Sequence, residues 1–409
     1  MIDSRRRSAT LALIRASVRL DPDAGAIRDS LASPDLDWGD ALYLADGHGL
    51  TPLLHHTWRS LQADASIPEN ARARMEIAYR DNTTRNADAR QELIEVWNLL
   101  AAADAPAIVL KGVPLIDALY ADPALRVLYD FDFLVPEDRA QAGLAELMAR
   151  GFERVPVKAH AYNNKHLPSV WRLNGFKRRG YLFDPAQPRP VELHVALWDT
   201  QWRGLNVRPL DDLWPRSRTT TLDNATIRVL SAEDSFLHLC VHLATHLVER
   251  EARVGQLLDV ALFMRRFGNS LDWDRVLRAS HSAGVARFAY ISICTAHALV
   301  DAPFPPPDVV TRLRASTPFQ LRQWAEQNAA ADLLGMDYRQ PDLGQDYFLT
   351  FAAAQSLAEK MGVVRFALLP PVNALSEQYH SPVRAFGISL YARHFLDRGR
   401  AYAGSLLRS

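Results

Sequence analysis

Tyr129-Asp130-Phe131-Asp132-Phe133-Leu134-Val135 is the stretch whose reading decides the fold. Side chains alternate faces along a strand, so Asp130 and Asp132 project to one side. Tyr129, Phe131, Phe133 and Val135 project to the other, where they can pack on a helix. Two like charges on one face repel each other. A folded chain keeps such a pair where solvent is abundant or where a cation sits between the two. The first alternative makes the stretch the wet edge of an amphipathic strand. The second makes it a metal site. An all-oxygen pair suits Mg2+ (or Mn2+), with Mg2+ taking one or two carboxylates and completing its shell from substrate phosphates.

Three other segments favour the metal reading. Val191-Glu192-Leu193-His194-Val195 is a second alternating strand with Glu192 and His194 on one face. Two divalent ions need more than one pair of anionic ligands, which a third carboxylate supplies; read alone, this strand is ordinary surface alternation. Ile108-Val109-Leu110-Lys111-Gly112-Val113-Pro114 reads as strand, turn and helix. Gly112 permits close backbone approach, the helix start offers N–H groups to an anion, and Lys111 adds a point charge against a triphosphate. Arg126 lies in the loop that follows Asp122-Pro123. It can reach a phosphate, fold back on the aspartates, or form a surface salt bridge worth little.

Around these segments the chain is helical on both sides. Residues 1–104 carry apolar stripes of helical period, such as Leu93, Val96, Trp97 and Leu100. Residues 105–230 alternate helices with short strand-like runs at Ala107–Leu110, Tyr129–Val135 and Val191–Leu197. From Ser231 the pattern is helical again, opening on a Ser231/Asp234 cap ahead of Phe236, Leu237, Leu239 and Leu243. Prolines 185, 188 and 190, then 303 and 305–307, then 370 and 371, mark seams. The expected class is α+β: a small mixed-sheet core at 105–230 flanked by helical regions at 1–104 and 231–409.

Composition narrows the partners. The chain has 409 residues, 48% hydrophobic and 23% charged, with Lys plus Arg and Asp plus Glu both at 47. A protein that grips long nucleic acid shows a basic excess, because phosphate neutralisation supplies most of the affinity. No extended nucleic-acid partner is therefore expected. The two cysteines, Cys240 and Cys294, give neither a disulfide framework nor a zinc knuckle, and read as small buried apolar residues. Arg15 and Arg19 interrupt the apolar run Ala9–Ile14, and nothing approaches the roughly 18 apolar residues of a membrane span. A cytoplasmic protein is expected.

Three further features admit more than one reading. His238, His242 and His246 recur on one helix face and can chelate zinc, contact substrate, or form a polar layer with Asp259; the polar layer is favoured. Lys158, Lys165, Arg172, Lys177, Arg178 and Arg179 form either a solvated loop or a lid over phosphates. The tail from Ala385 to Ser409, with Tyr391, Phe395 and Tyr402, is expected to pack on the helical region rather than on a membrane surface.

Taken in order, these segments resemble the polymerase-beta-type nucleotidyltransferase fold, and more narrowly the family of uncharacterised nucleotidyltransferases. The likeness runs from Leu110-Lys111-Gly112 through Leu119–Pro123 and Leu125–Val135. It continues through Gly151-Phe152, His166-Leu167-Pro168 and Val191–His194 to Leu237–His242 and Leu257–Asp259. The resemblance implies transfer of a nucleotidyl group from a nucleoside triphosphate, with Asp130 and Asp132 binding Mg2+. Glu192 corresponds to the third acid, near the acceptor hydroxyl as ligand or base, and Lys111, Gly112, Arg126 and His194 face the nucleotide. One departure stands out: the fold's glycine-serine turn reads Lys111-Gly112-Val113 here, without a hydroxyl, which leaves nucleotidyl and phosphoryl transfer both open. The implied acceptor is a small molecule, a peptide or a protein. The alternative is a non-catalytic nucleotide-binding scaffold or antitoxin-like module. Alanine at Asp130 or Asp132 is expected to abolish transfer and leave the fold intact.

Overall fold

Seven short strands make one mixed sheet: β1 (Ile108–Val109), β2 (Phe131–Leu134), β3 (Glu153–Arg154), β4 (Val170–Trp171), β5 (Val191–His194), β6 (Arg218–Leu222) and β7 (Ala225–Val229). They lie in the order β3-β4-β5-β2-β1-β7-β6. The computed structural model of the chain describes residues 4–156, 165–173, 175–176, 180–200, 202–336, 343–372, 375–376, 379 and 387–406. At the centre β2 and β5 run parallel, with Asp132 opposite Glu192 and Leu134 opposite His194. On the other side of β2 lies antiparallel β1, which in turn pairs in parallel with β7. Each strand is shorter than its apolar run: Asp130 sits one residue before β2, and the chain bends away after His194.

Helices precede, interrupt and follow the sheet. Before it come α1 (Ser4–Ser17), α2 (Ala24–Leu31), α3 (Trp38–Gly47), α4 (Thr51–Ser60) and the 34-residue α5 (Glu69–Ala102). Within it lie α6 (Val113–Leu119), α7 (Glu137–Ala149) and α8 (Leu213–Arg216). After it come α9 (Ala232–Glu249), α10 (Val254–Phe267), α11 (Trp273–Ser282) and α12 (Ala286–Val300), and then a run of helices from Pro307 to Leu406. The fold is α+β, a mixed sheet flanked by helices. No helix among the described residues is long and apolar enough to cross a membrane.

Strand alternation divides the core in two. Phe131, Phe133, Val191 and Leu193 pack against Leu93, Val96 and Leu100 of α5 and Leu144 and Leu147 of α7. From the opposite face, Ile108, Leu110 and Leu134 join a second, larger cluster with Leu237, Val241 and Leu258 of α9 and α10. That cluster also takes in Leu13, Leu44 and Leu54 of the N-terminal helices, so the helices before and after the sheet share one apolar core. Asp132 and His194 sit on this second face, beneath α9. The start of α9 follows from its cap: Ser231 Oγ accepts from the Asp234 amide at 3.2 Å.

At the C-terminus the helix Ile388–Leu406 packs on its neighbours. Tyr391 donates to the Pro370 carbonyl at 2.8 Å, and His394 Nε2 lies 2.9 Å from the Ala367 carbonyl. Phe395 stays exposed, and Ala385 and the Tyr402 side chain lie outside the described residues. In the basic stretch Arg172 pairs with Glu95 of α5 at 2.8 Å, whereas Lys158, Lys177, Arg178 and Arg179 lie outside the described residues.

Candidate metal and nucleotide site

The sequence between β1 and α6 is built for a sharp turn. Gly112 adopts φ 85°, ψ −126°, a conformation that side-chain-bearing residues avoid, and hands the chain directly to Val113 and Pro114 of α6. Lys111, just before it, turns its ammonium onto the aspartates. Nζ lies 2.7 Å from Asp130 Oδ1 and 2.5 Å from Asp132 Oδ2. A cation does sit between the two like charges of the quoted stretch, and it is the chain's own lysine.

Asp132 is almost fully buried, while Asp130 is partly exposed at the mouth of the site. The other oxygen of Asp132, Oδ1, takes a hydrogen bond from His194 Nε2 at 2.9 Å. Burial alone raises the Asp132 carboxyl, but Lys111 and His194 outweigh it and hold the group well below the usual carboxylate range. Asp130 moves the other way: burial and the neighbouring Asp132 charge raise it beyond what Lys111 offsets. The two acids therefore split, one locked as a carboxylate and one more readily protonated. Burial would lower His194, yet its bonds to Asp132 and Glu192 raise it.

Glu192 lies across the β2–β5 pairing. Ser169 donates to its Oε1 at 3.1 Å, and Oε2 is 3.4 Å from His166 Nε2 and 3.5 Å from His194 Nε2. Burial raises Glu192, but the two histidines more than compensate and bring it down to about 2. One ligand atom each from Asp132, Glu192 and His194 fall within 4.8 Å of one another, a spacing one divalent ion can bridge. Asp130 stands on the Lys111 side of Asp132 and is not one of these three.

Arg126 is engaged elsewhere. Its Nε and Nη2 both lie 2.8 Å from the two oxygens of Asp259 on α10, and Tyr120 donates to the same carboxylate at 2.7 Å. The planar guanidinium fork matches a carboxylate bidentately, which an imidazole cannot do. This is why Asp259 does not pair with the α9 histidines as the spacing suggested. His238 and His242 stack at 6.0 Å, and His242 and His246 meet edge to face at 4.6 Å. His242 Nε2 lies 3.2 Å from the Gln256 amide, and His246 Nδ1 lies 4.0 Å from Glu251 Oε2. Both ring nitrogens of His238 are buried without a hydrogen-bond partner, and burial, with the nearby His194, lowers it to about 3.

Two sets of residues at the site had been given no role in the sequence: His166, named only as part of a matching stretch, and a polar seam. His166 arrives at Glu192 because its segment bridges β5 opposite His194, on the side where β4 pairs with Val191. The second set is the polar seam of α5. Asn82 donates to the Ala124 carbonyl at 2.7 Å, Asn86 to that of Arg126 at 2.8 Å, and Arg85 to those of Leu128, at 3.0 Å, and Gln187, at 2.8 Å. These bonds hold the loop that delivers Asp130. A signal existed: the apolar stripe Met75, Ala78, Ala89, Leu93 is broken at the same helical spacing by Asn82, Arg85 and Asn86.

No curated protein and no solved structure matches the chain. Residues 34–301, more than half of its length, match the family described as uncharacterised nucleotidyltransferase. That span holds the glycine turn, both aspartates, Glu192 and the histidines beside it, and the chain belongs to this family.

Proposed function

We propose that the protein is a Mg2+-dependent nucleotidyltransferase that moves a nucleotidyl (or phosphoryl) group from a nucleoside triphosphate to a hydroxyl of a small-molecule, peptide or protein acceptor. The observation that carries this reading is the register of β2 on β5. It brings Asp132 and Glu192 to adjacent positions on one face, with Asp130 sharing Lys111 at the open side. Asp130 and Asp132 would hold the ion on the donor side, with Glu192 placed for the acceptor side. The ion supplies charge neutralisation at the reacting phosphate and a lower pKa for the attacking hydroxyl.

The chain's own groups do the positioning. Lys111 neutralises the aspartates, and its long flexible stem would let the ammonium turn to an incoming phosphate. Gly112 keeps the backbone beside the donor free of a side chain. Arg126 acts by holding the loop before Asp130 onto α10 through Asp259, rather than by reaching a phosphate. Such chemistry asks mostly for alignment and charge stabilisation.

A nucleotide-binding scaffold or antitoxin-like module without catalysis is the second reading, because Lys111 itself pairs with both aspartates. Intact-mass analysis of candidate acceptors, incubated with Mg2+ and mixed triphosphates, tests the first reading, and the added mass names the transferred group. Thermal melts with Mg2+ and each triphosphate test binding. A ligand at a hundredfold excess over its Kd adds about 2.7 kcal/mol. A melt that no nucleotide moves would leave the transferase reading without support.

A further inference from the structure

The donor atoms around Glu192 differ in kind from those around Asp130. His166 Nδ1 lies 2.6 Å from the Leu167 carbonyl oxygen. A carbonyl only accepts, so Nδ1 carries a ring proton, and in the neutral ring Nε2 is the atom with the lone pair. That nitrogen lies 3.4 Å from Glu192 Oε2. Beside it, Asp132, Glu192 and His194 offer ligand atoms within 4.8 Å of one another, and the His166 and His194 rings are 5.2 Å apart.

We propose that His166, Glu192, Asp132 and His194 form a mixed nitrogen and oxygen site for a first-row transition ion such as Zn2+, and that this site rejects Mg2+. Imidazole nitrogen suits such ions, whereas Mg2+ takes oxygen ligands and sheds water reluctantly. For His194 to join, its proton would move from Nε2 to Nδ1, which is buried without a hydrogen-bond partner. The two ion positions are then chemically unlike. One is all-oxygen at Asp130 and Asp132, held by Lys111 until substrate arrives, and the other is nitrogen-containing and filled beforehand. This inference rests on the acids of the proposed function but concerns which ion they hold.

The test uses the full chain, stripped with chelator and titrated with Co2+ in millimolar Mg2+. One equivalent should bind with visible absorption bands, and Zn2+ should displace it while Mg2+ does not. His166→Gln and Glu192→Gln should each weaken Co2+ binding by more than about tenfold, since even outer-shell partners of a metal cost that much. Asp130→Asn should leave Co2+ binding unchanged. Metal-free melts of His166→Gln and of His166→Asn establish that at least one variant folds. Displacement by Mg2+ as readily as by Zn2+ would overturn the proposal. So would parental Co2+ affinity in a folded His166 variant, which would leave His166 as a protonated partner of Glu192. The outcomes separate from those of the transferase assay. A Co2+ site without nucleotide transfer sinks the transferase reading alone, and transfer in Mg2+ without a Co2+ site sinks this one alone.

Discussion

At the scale of single residues, the two aspartates are not equivalent, although the strand pattern treats them alike. Asp132 is buried between Lys111 and His194, and Asp130 stands at the mouth. Removing one partner of a buried pair costs about 3–5 kcal/mol, because the other charge is left stranded. Asp132→Ala should therefore lose stability on that scale as well as activity, which revises the expectation of an intact fold. Asp130→Asn keeps the shape, leaves Lys111 its bond to Asp132, and should change stability by less than about 1 kcal/mol. Its transfer rate should fall by at least about a hundredfold if it holds the donor-bridging ion. Urea melts beside mass-based transfer assays on both variants check this. An Asp130→Asn enzyme with parental turnover would remove the donor-ion role.

Two elements carry predictions of their own. The turn from β1 to α6 depends on Gly112 at φ 85°. An added Cβ would meet Leu128 Cδ2 at 3.5 Å, which is ordinary contact, so Gly112→Ala tests backbone strain almost alone. It should cost about 1–3 kcal/mol, read as a shift in urea midpoint. In α9, burial lowers His238 to about 3 and His246 to about 4, and places His242 well below its ordinary range. These rings are neutral in the fold, while the unfolded chain takes up protons below about 6.5. Unfolded protein then binds more protons, so stability is full above that pH and drains away as pH falls towards 3. His194, raised in the fold, works in the opposite sense, but it is one ring against three. His238→Leu should flatten the acid limb of the stability–pH curve, and a curve with unchanged slope would show that His238 is not the neutral buried group described.

Across the whole molecule, the site is held by contacts that reach it from both helical regions. From the N-terminal side, α5 grips the loop before Asp130 through Asn82, Arg85 and Asn86. From the C-terminal side, Asp259 of α10 clamps Arg126 and Tyr120. Asp259→Ala leaves a buried guanidinium unpaired and should cost about 3–5 kcal/mol. Because Arg126 is four residues from Asp130, the same change should lower turnover more than it weakens nucleotide binding, and equal losses in both would place Arg126 on the nucleotide itself. Farther out, Arg287 of α12 donates to both oxygens of Glu359 at 2.9 Å, tying the last helices to the same core.

Periodicity made part of this legible in one dimension. The alternation of Tyr129–Val135 and of Val191–Val195 told which side chains share a face, and the helical stripes on either side told the class, because those signals repeat every two or every 3.6 residues. What only the tertiary structure decided is which charges meet. Lys111 reaches Asp130 across 19 residues, His194 reaches Asp132 across 62, and Arg126 reaches Asp259 across 133. Such pairings leave no local period behind. They are chosen by competition among all nearby donors once the chain has folded, and a guanidinium fork or a flexible ammonium wins where its shape and reach fit the buried carboxylate best.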